Sequence, residues 1–212
     1  MSGISPQFDG AFRGKLTELF EWRRDVRRFA DAPLPPGAME RLLAVANGAP
    51  SVGLSQPWRF IVVDDPQRRS AIRANFARAN AVALDMHHGT RAALYARLKL
   101  EGLDGAPCHL AVCADMDPTQ GGGLGRATQP EMSAYSAVLA VHTLWLAARA
   151  EGLGMGWVSI LDPVAALDTL DVPPSWQLVA YLCLGWPAEN SAVPELERQG
   201  WEERSVATVL QR

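Results

Sequence analysis

The chain has 212 residues, of which 48% are hydrophobic and 20% charged, with a formal net charge of −3 and an isoelectric point near 5.8. A chain of this length and composition can bury a sizeable core, so we expect one globular domain over residues 1–212. The acidic balance argues against a general nucleic-acid binder, because affinity for a phosphate backbone needs a broad basic surface.

The N-terminal stretch MSGISPQFDGAFRGK lacks the basic start and apolar core of an export signal, so we expect none. The three cysteines, Cys108, Cys113 and Cys183, form no CxxC pair, and two of them lie in apolar runs where buried free thiols are common. We therefore expect reduced thiols and a cytoplasmic location.

The stretch EWRRDVRRFA, residues 21–30, places four arginines around one aspartate. Arg23 and Arg27 are four residues apart, as are Arg24 and Arg28, and such pairs form two adjacent positive rows on a helix or at its end. Guanidinium groups bind phosphate oxygens in pairs, so the segment points to a small anion. The alternative is a solvated helix end with ordinary surface charges, and the spacing alone does not decide between them.

Periodicity predicts the secondary structure of the remaining chain. Helical spacing of apolar residues predicts helices over residues 12–22, 38–47 and 67–86. Short β-rich runs predict strands over residues 59–64, 109–115, 155–160 and 178–186. These runs are continuously apolar, so we expect a sheet covered on both faces. The predicted class is mixed α and β, in three layers.

The segment MSAYSAVLAVHTLWLAA, between Glu131 and Arg149, has 17 uncharged residues, the lower limit for crossing a bilayer. Polar residues dilute it and no second such segment exists, so we expect no membrane span. Thr128-x-x-Glu131 predicts a capping box at its start, and Gly152 marks its end. The segment is therefore expected to be a central helix surrounded by other elements.

Standard catalytic signatures are mostly absent. Neither GGGLGR nor GLGMGW completes GxGxxG, and no GxxxxGK[ST] or GxSxG motif occurs, which argues against a Rossmann site, a P-loop and a nucleophile elbow. The four histidines form no HExxH or HxxxH pattern, so no metal site is predicted. We expect the chemistry to depend on a bound organic cofactor.

Three segments together resemble the FMN-binding segments of the nitroreductase-like flavoproteins: RRDVRRF, APSVGLSQPWRF and GLGMGWVSI. In that family an arginine-rich segment holds the FMN phosphate, a serine-containing segment approaches from the partner subunit, and a glycine-rich turn presents its backbone to the flavin. The resemblance covers almost the whole chain. It implies an α+β nitroreductase-like fold with a central mixed β-sheet flanked by helices, and an intertwined homodimer with residues 187–212 as a C-terminal arm that wraps the partner.

Further segments, YARLKLEGL, GLGRATQPEMSAYS and PELERQGW, resemble a branch of this family that consumes reduced FMN and dioxygen. That branch fragments the flavin ring, so FMN would be a substrate, reduced by a separate NAD(P)H-dependent flavin reductase. The alternative is an NAD(P)H-dependent FMN nitro- or quinone reductase that recycles its flavin. A weaker alternative is a flavin-binding protein without turnover.

The resemblance implies FMN contacts residue by residue, at Arg23, Arg24, Asp25, Val26, Arg27, Ser51, Leu100, Gly154, Gly156 and Ser159. A carboxylate beside a phosphate is unfavourable for binding alone, so Asp25 should have another role. Kept ionised by flanking arginines, it is expected to act as a general base for cleavage near the ribityl chain. The alternative for Asp25 is a salt bridge or a helix cap.

The resemblance also assigns roles outside the arginine segment. Ser159 is expected to be catalytic and to face the flavin ring, with a small strand residue bonded to backbone as its alternative. For Ser51 the alternative role is loop capping. For Gly154 and Gly156 the alternative is that a tight turn requires glycine. Residues 91–103 are expected to form a lid that excludes water, with Leu100 facing the flavin or simply packing in a helix.

Overall fold

The structure, a computed structural model, describes residues 5–212. Residues 1–4, which begin the stretch in which we expect no export signal, lie outside the described residues. The helices are α1 (Gly10–Trp22), α2 (Ala38–Ala46), α3 (Pro66–Asp85), α4 (Gly89–Tyr95), α5 (Met132–Ala150), α6 (Pro163–Leu170) and α7 (Glu195–Arg198), with a 3-10 turn at Val52–Leu54. The strands are β1 (Trp58–Val62), β2 (Cys108–Asp115), β3 (Gly154–Val158) and β4 (Trp176–Gly185).

Within the described residues, the four strands form one sheet in the order β1-β2-β4-β3. Each neighbouring pair is antiparallel, with Trp58 opposite Ala114, Cys108 opposite Leu184 and Gly154 opposite Gly185. The expected α+β class is confirmed, but the four strands are not mixed. The parallel component is a single bridge between Asp25 and Met155, at the outer edge of β3. The reason is local, since the segment after α1 runs beside β3 for too few residues to form a strand.

Both faces of the sheet are covered, as the continuously apolar strands predict. Alternate residues of a strand point to opposite faces, and Leu110 and Leu182 pack with α2 and α5 on one side. Ala111 and Tyr181 pack with α3 and α6 on the other. The core therefore lies in two layers separated by the sheet.

The central helix α5 begins differently from the prediction. Glu131 occupies the N-cap position without a side-chain cap, and Thr128 Oγ1 donates to Gly125 O, so the predicted capping box is wrong. Consecutive turns over residues 123–132 lead into the helix and leave the two side chains out of register for a cap. The end is as predicted, because Gly152 has a positive φ of 81° and its N–H donates to Arg149 O.

No helix within residues 5–212 is long and apolar enough to cross a membrane. Helix α5 buries one face in the core. Its other face is not surrounded as expected, since Tyr135, Val138 and Leu139 are exposed.

Helix α6 was not predicted, although the chain carries a signal for it. Asp162 caps its N-terminus by accepting from the N–H groups of Val164 and Ala165, and Pro163 is the first helical residue. An Asp-Pro pair at this position is a typical helix start. The helix connects β3 to β4 and covers the second face of the sheet.

The three cysteines are buried and free. Burial raises the pKa of the Cys108 and Cys113 thiols to about 11, and it also raises the pKa of Cys183. The expectation of reduced thiols agrees with this arrangement, while the cytoplasmic location stays a prediction.

The first part of the expected C-terminal arm packs on its own chain. Ala188 N donates to Arg28 O, and the Arg28 guanidinium pairs with Glu195 at 2.7 Å. Trp201 lies under Arg91 of α4, with the guanidinium carbon 3.6 Å from the ring centroid. Residues 202–212 are exposed and form neither helix nor strand, although Arg204 Nε donates to Glu197 at 2.9 Å, so wrapping of a partner stays a prediction for that part.

Candidate functional site

The outer edge of β3 pairs with the segment that follows α1. Val26 N donates to Met155 O at 3.0 Å. A Cβ on Gly154 would lie 2.7 Å from the Val26 side chain, and one on Gly156 would overlap Val26 O. Glycine is therefore required here by the close approach of this segment. That requirement is distinct from both a tight turn and a flavin contact, and the flavin contacts of Gly154 and Gly156 stay predictions.

The arginines of this segment do not form the two predicted helical rows. Helix α1 ends at Trp22, and Arg23 is already extended, with φ −71° and ψ 111°. Residues after Trp22 pair with the edge of β3 instead of continuing the helix. The segment is therefore extended, and its alternate side chains point to opposite sides. Asp25 and Arg27, two residues apart, consequently lie side by side.

Asp25 is held by both of its carboxylate oxygens. Trp157 N donates to Oδ1 at 2.9 Å, and Arg27 Nε donates to Oδ2 at 2.8 Å. The Asp25 side chain is 31% exposed. The salt bridge that the sequence left open as an alternative is thus present. Each oxygen still has a free lone pair, so the geometry also leaves room for proton transfer.

Arg23 and Arg24 are positioned by α5. The Arg23 guanidinium carbon lies 4.8 Å from the Trp145 ring centroid, and Trp145 Nε1 donates to Arg24 O at 3.3 Å. Arg24 donates through Nη2 to carbonyls of Phe20 and Glu21. Trp145 was not identified from the sequence, since a tryptophan in an apolar helix carries no signal beyond burial.

One donor in this group has no protein partner. Arg24 Nε is buried and unpaired within the described residues. Burial, and then the neighbouring charges of Arg23 and Arg204, lower the pKa of Arg24. A buried donor without a partner is rare in proteins. A phosphate would accept from Nε and offset the repulsion among the arginines, so these residues fit the phosphate of FMN.

The predicted lid comes close to the same group. After α4 the chain turns, and residues 98–102 form neither helix nor strand. Arg27 Nη1 donates to Lys99 O at 2.8 Å, which places the half-buried Leu100 next to this contact. A Cβ on Gly102 would overlap the Phe29 ring. The predicted lid thus contacts the arginine segment at Lys99 and at Gly102, and its role as a lid stays a prediction.

The two predicted serines lie in different places. Ser159 is exposed, one residue past β3 and two past Trp157, so it follows Asp25 along the same strand edge. Ser51 Oγ accepts from Gln56 N, which is the loop-capping role left open. The loop of Ser51 joins α5 at Ser136, whereas the arginine segment joins it at Trp145, about 14 Å along the helix axis. One chain therefore does not bring Ser51 to Asp25.

The cleft beside the arginine segment is small. It measures about 180 Å³ and is lined by Arg23, Arg24, Asp25, Arg27, Pro194, Glu195 and Leu196. Ligand pockets usually measure roughly 300–1,000 Å³. A single chain therefore offers only part of a site for a molecule of the size of FMN. In residues 5–212 no group of three or more His, Cys, Asp or Glu side chains is arranged to hold a metal ion.

Comparison with protein families and known proteins places the chain clearly. The model of the Nitroreductase family matches residues 20–186. The chain is 56% identical over 207 residues to the 5,6-dimethylbenzimidazole synthase of Rhodospirillum rubrum, with 98% of each chain covered. It is 49% identical over 196 residues to a 5,6-dimethylbenzimidazole synthase of Rhodobacter capsulatus, covering 92% of this chain and 95% of the relative.

The fold also resembles solved structures. Oxidized iodotyrosine deiodinase bound to FMN and 3-iodo-L-tyrosine superposes with a TM-score of 0.71 at 25% identity, covering 93% of this chain and 97% of the other. A nitroreductase family protein from Clostridium novyi has a TM-score of 0.63 at 18% identity, with 82% and 85% covered. The second likeness concerns the fold alone.

Proposed function

The chain belongs to the nitroreductase family, and from that premise we propose that it is an enzyme with 5,6-dimethylbenzimidazole synthase activity. In this reaction reduced FMN is the substrate and dioxygen the oxidant. The products are 5,6-dimethylbenzimidazole, the lower ligand of vitamin B12, and erythrose 4-phosphate. The observation that carries the proposal is Asp25, a carboxylate fixed inside an arginine segment that we propose binds the phosphate, where a reductase that only recycles FMN would not need one.

The phosphate of FMN would be held by Arg23 and Arg24. Trp145 orients the guanidinium group of Arg23, the carbonyls of Phe20 and Glu21 hold that of Arg24, and the unpaired Nε of Arg24 supplies a donor for a phosphate oxygen. When bound, the reduced flavin supplies electrons to dioxygen and the carbon skeleton of the product. The ribityl chain would then run along the edge of β3, toward Asp25 and Ser159.

Asp25 is the proposed general base. Its hydrogen bonds from Trp157 N and Arg27 Nε fix the direction of the carboxylate, while the free lone pairs would accept a proton from the ribityl chain. Ser159 would donate a hydrogen bond to the flavin ring. Leu100, carried by the lid, would cover the ring and exclude water.

A homodimer completes the site in this proposal. The cleft of one chain is too small for FMN, and Ser51 lies too far from Asp25 to join it within one chain. Exposed apolar side chains provide a surface for a second copy, at Phe12, Phe20, Tyr135, Val138 and Leu139. Ser51 would then reach the flavin of the partner subunit. A separate flavin reductase, using NAD(P)H, would supply reduced FMN.

The test is to mix the purified protein anaerobically with reduced FMN, admit air, and search the products by mass for 5,6-dimethylbenzimidazole. We expect product in proportion to the flavin lost, and none from reduced FMN without protein. Return of all the FMN, oxidised and intact, would contradict the proposal. An assay with NADH and a nitroaromatic or quinone would then test the NAD(P)H-dependent reductase instead.

A further inference from the structure

Arg27 joins two parts of the chain that are far apart in sequence. Its Nε donates to Asp25 Oδ2 and its Nη1 donates to Lys99 O, both at 2.8 Å. The Arg27 side chain is 12% exposed, so solvent competes little for these bonds. The same guanidinium therefore holds the proposed base and the lid.

The lid is attached to the sheet at its C-terminal end, where Gly102 and Leu103 are buried and Leu103 packs with Ala111 and Tyr181. Residues 98–101 before that end lie outside helices and strands. Glu101 accepts from Lys99 Nζ and from Leu103 N, and these bonds shape the segment locally. Attachment to the arginine segment comes from Arg27 at Lys99 and from the Phe29 ring at Gly102.

The geometry requires an arginine. The two acceptors are approached by different nitrogens of one rigid planar group, whereas the ammonium of lysine is a single point on a flexible stem. Release of Lys99 O would free the guanidinium to rotate, and Asp25 Oδ2 would then lose its partner. Trp157 N would remain as the other donor to Asp25.

We propose that Arg27 is a positioning residue that couples the lid to Asp25, so that the carboxylate is held in its working direction only while the lid is seated. Arg27 thereby does more than bind FMN. The proposal deepens the proposed function, because Asp25 is the base of that reaction. Its test uses the flavin-free protein, so its failure is distinguishable from failure of the synthase assay.

The experiment uses two reporters. Tryptic cleavage after Lys99 reports opening of the lid, and hydrogen exchange of the Trp157 amide, resolved by NMR, reports release of Asp25. Arg27→Lys should speed both by about tenfold, since a charged hydrogen bond is lost at each end. Arg41→Lys is the matched control, because Arg41 also binds one carboxylate, of Glu151, and one carbonyl, of Pro36, but lies on α2. It should change neither reporter.

A second variant perturbs the contact between the lid and Phe29 without substituting Arg27 or Asp25. In Gly102→Ala the new methyl group meets the Phe29 ring, and coupling requires faster exchange at Trp157 as well as faster cleavage at Lys99. Cleavage that changes without any change at Trp157, in either variant, would overturn the proposal. If Arg27→Lys does not fold, the two reporters measured in Gly102→Ala decide whether the lid and Asp25 are coupled.

Turnover provides a further readout. Arg27→Lys keeps its positive charge, so the half-saturating concentration of reduced FMN should change less than threefold while the rate of product formation falls about tenfold or more. A large loss of FMN affinity with both reporters unchanged would show that Arg27 is simply a flavin ligand, which contradicts the coupling.

Discussion

At the scale of single residues, Asp25 is the group on which the proposed chemistry depends. Asp25→Asn keeps the shape of the side chain and an oxygen that accepts from Trp157 N. We expect FMN binding, followed by fluorescence quenching, to change only severalfold. Product formation should fall by at least about 100-fold, because an amide does not accept the proton. Unchanged product formation by this variant would remove Asp25 from the mechanism.

A second residue, His109, links pH to stability. It is a buried residue of β2, with Nδ1 3.0 Å from the hydroxyl of Tyr181 on β4 and Nε2 unpaired within the described residues. Burial, assisted by the positive charge of Arg69, lowers the pKa of His109 to about 4. The unfolded chain, with the ordinary value near 6.5, therefore binds a proton that the folded protein does not.

The sign of the effect follows directly. As pH falls from 7 to 5 the unfolded state is favoured, and His109 should reduce the free energy of unfolding by about 2 kcal/mol. Urea titrations at both pH values measure the loss. His109→Gln should remove this part of the pH dependence, whereas His142→Gln, at an exposed histidine on α5, should retain it. Equal pH dependence in all three proteins would rule out His109 as its source.

At the scale of elements, the site depends on the edge of β3. Gly156→Ala places a methyl group against Val26 O and must displace the arginine segment. We expect a loss of about 1–3 kcal/mol in the free energy of unfolding, typical of overpacking, together with weaker FMN binding. Gly14→Ala is the control, because a Cβ there meets nothing within 4 Å and alanine favours the helix α1. Equal stability of the two variants would contradict the close packing described for β3.

The positions of the helices and strands were predicted better than the caps and loops that begin and connect them. The predicted helices and strands agree with the structure to within two residues, because periodicity reports which face of each element is buried. The capping box at Thr128 failed, since a cap depends on the path of the preceding loop. Helix α6 was missed, although Asp162 and Pro163 gave a signal.

At the scale of the whole molecule, assembly should decide whether the site is complete. Leu139 lies on the exposed apolar face of α5. Leu139→Asp should weaken a homodimer at least about tenfold and lower FMN affinity in parallel, because a charge buried in an apolar contact is unpaired. Sedimentation measures the dissociation of the homodimer, and flavin titration measures the affinity for FMN. Val164→Asp, at an exposed residue of α6 on the other side of the sheet, is the control. A monomeric wild-type protein that binds FMN tightly would contradict the dimer.

The sequence by itself determined the class of fold and the order of its main elements, and it predicted the segment that carries the candidate site. Composition, periodicity and the RRDVRRF motif are local properties, so they can be read without knowing which segments meet. The same reading placed Asp25 among arginines and left its salt bridge open, and the structure shows that salt bridge.

Only the tertiary structure decided how these residues are used. Pairing with β3 makes the arginine segment extended, so its arginines diverge: Arg23 goes to Trp145, Arg27 to Lys99 and Arg28 to Glu195. The glycines of β3 accommodate Val26, and Ser51 lies apart from Asp25. Each of these contacts joins segments distant in sequence, and backbone groups such as Lys99 O carry no side-chain signal. The physical reason is that such contacts depend on which edges and faces remain free once the sheet has formed.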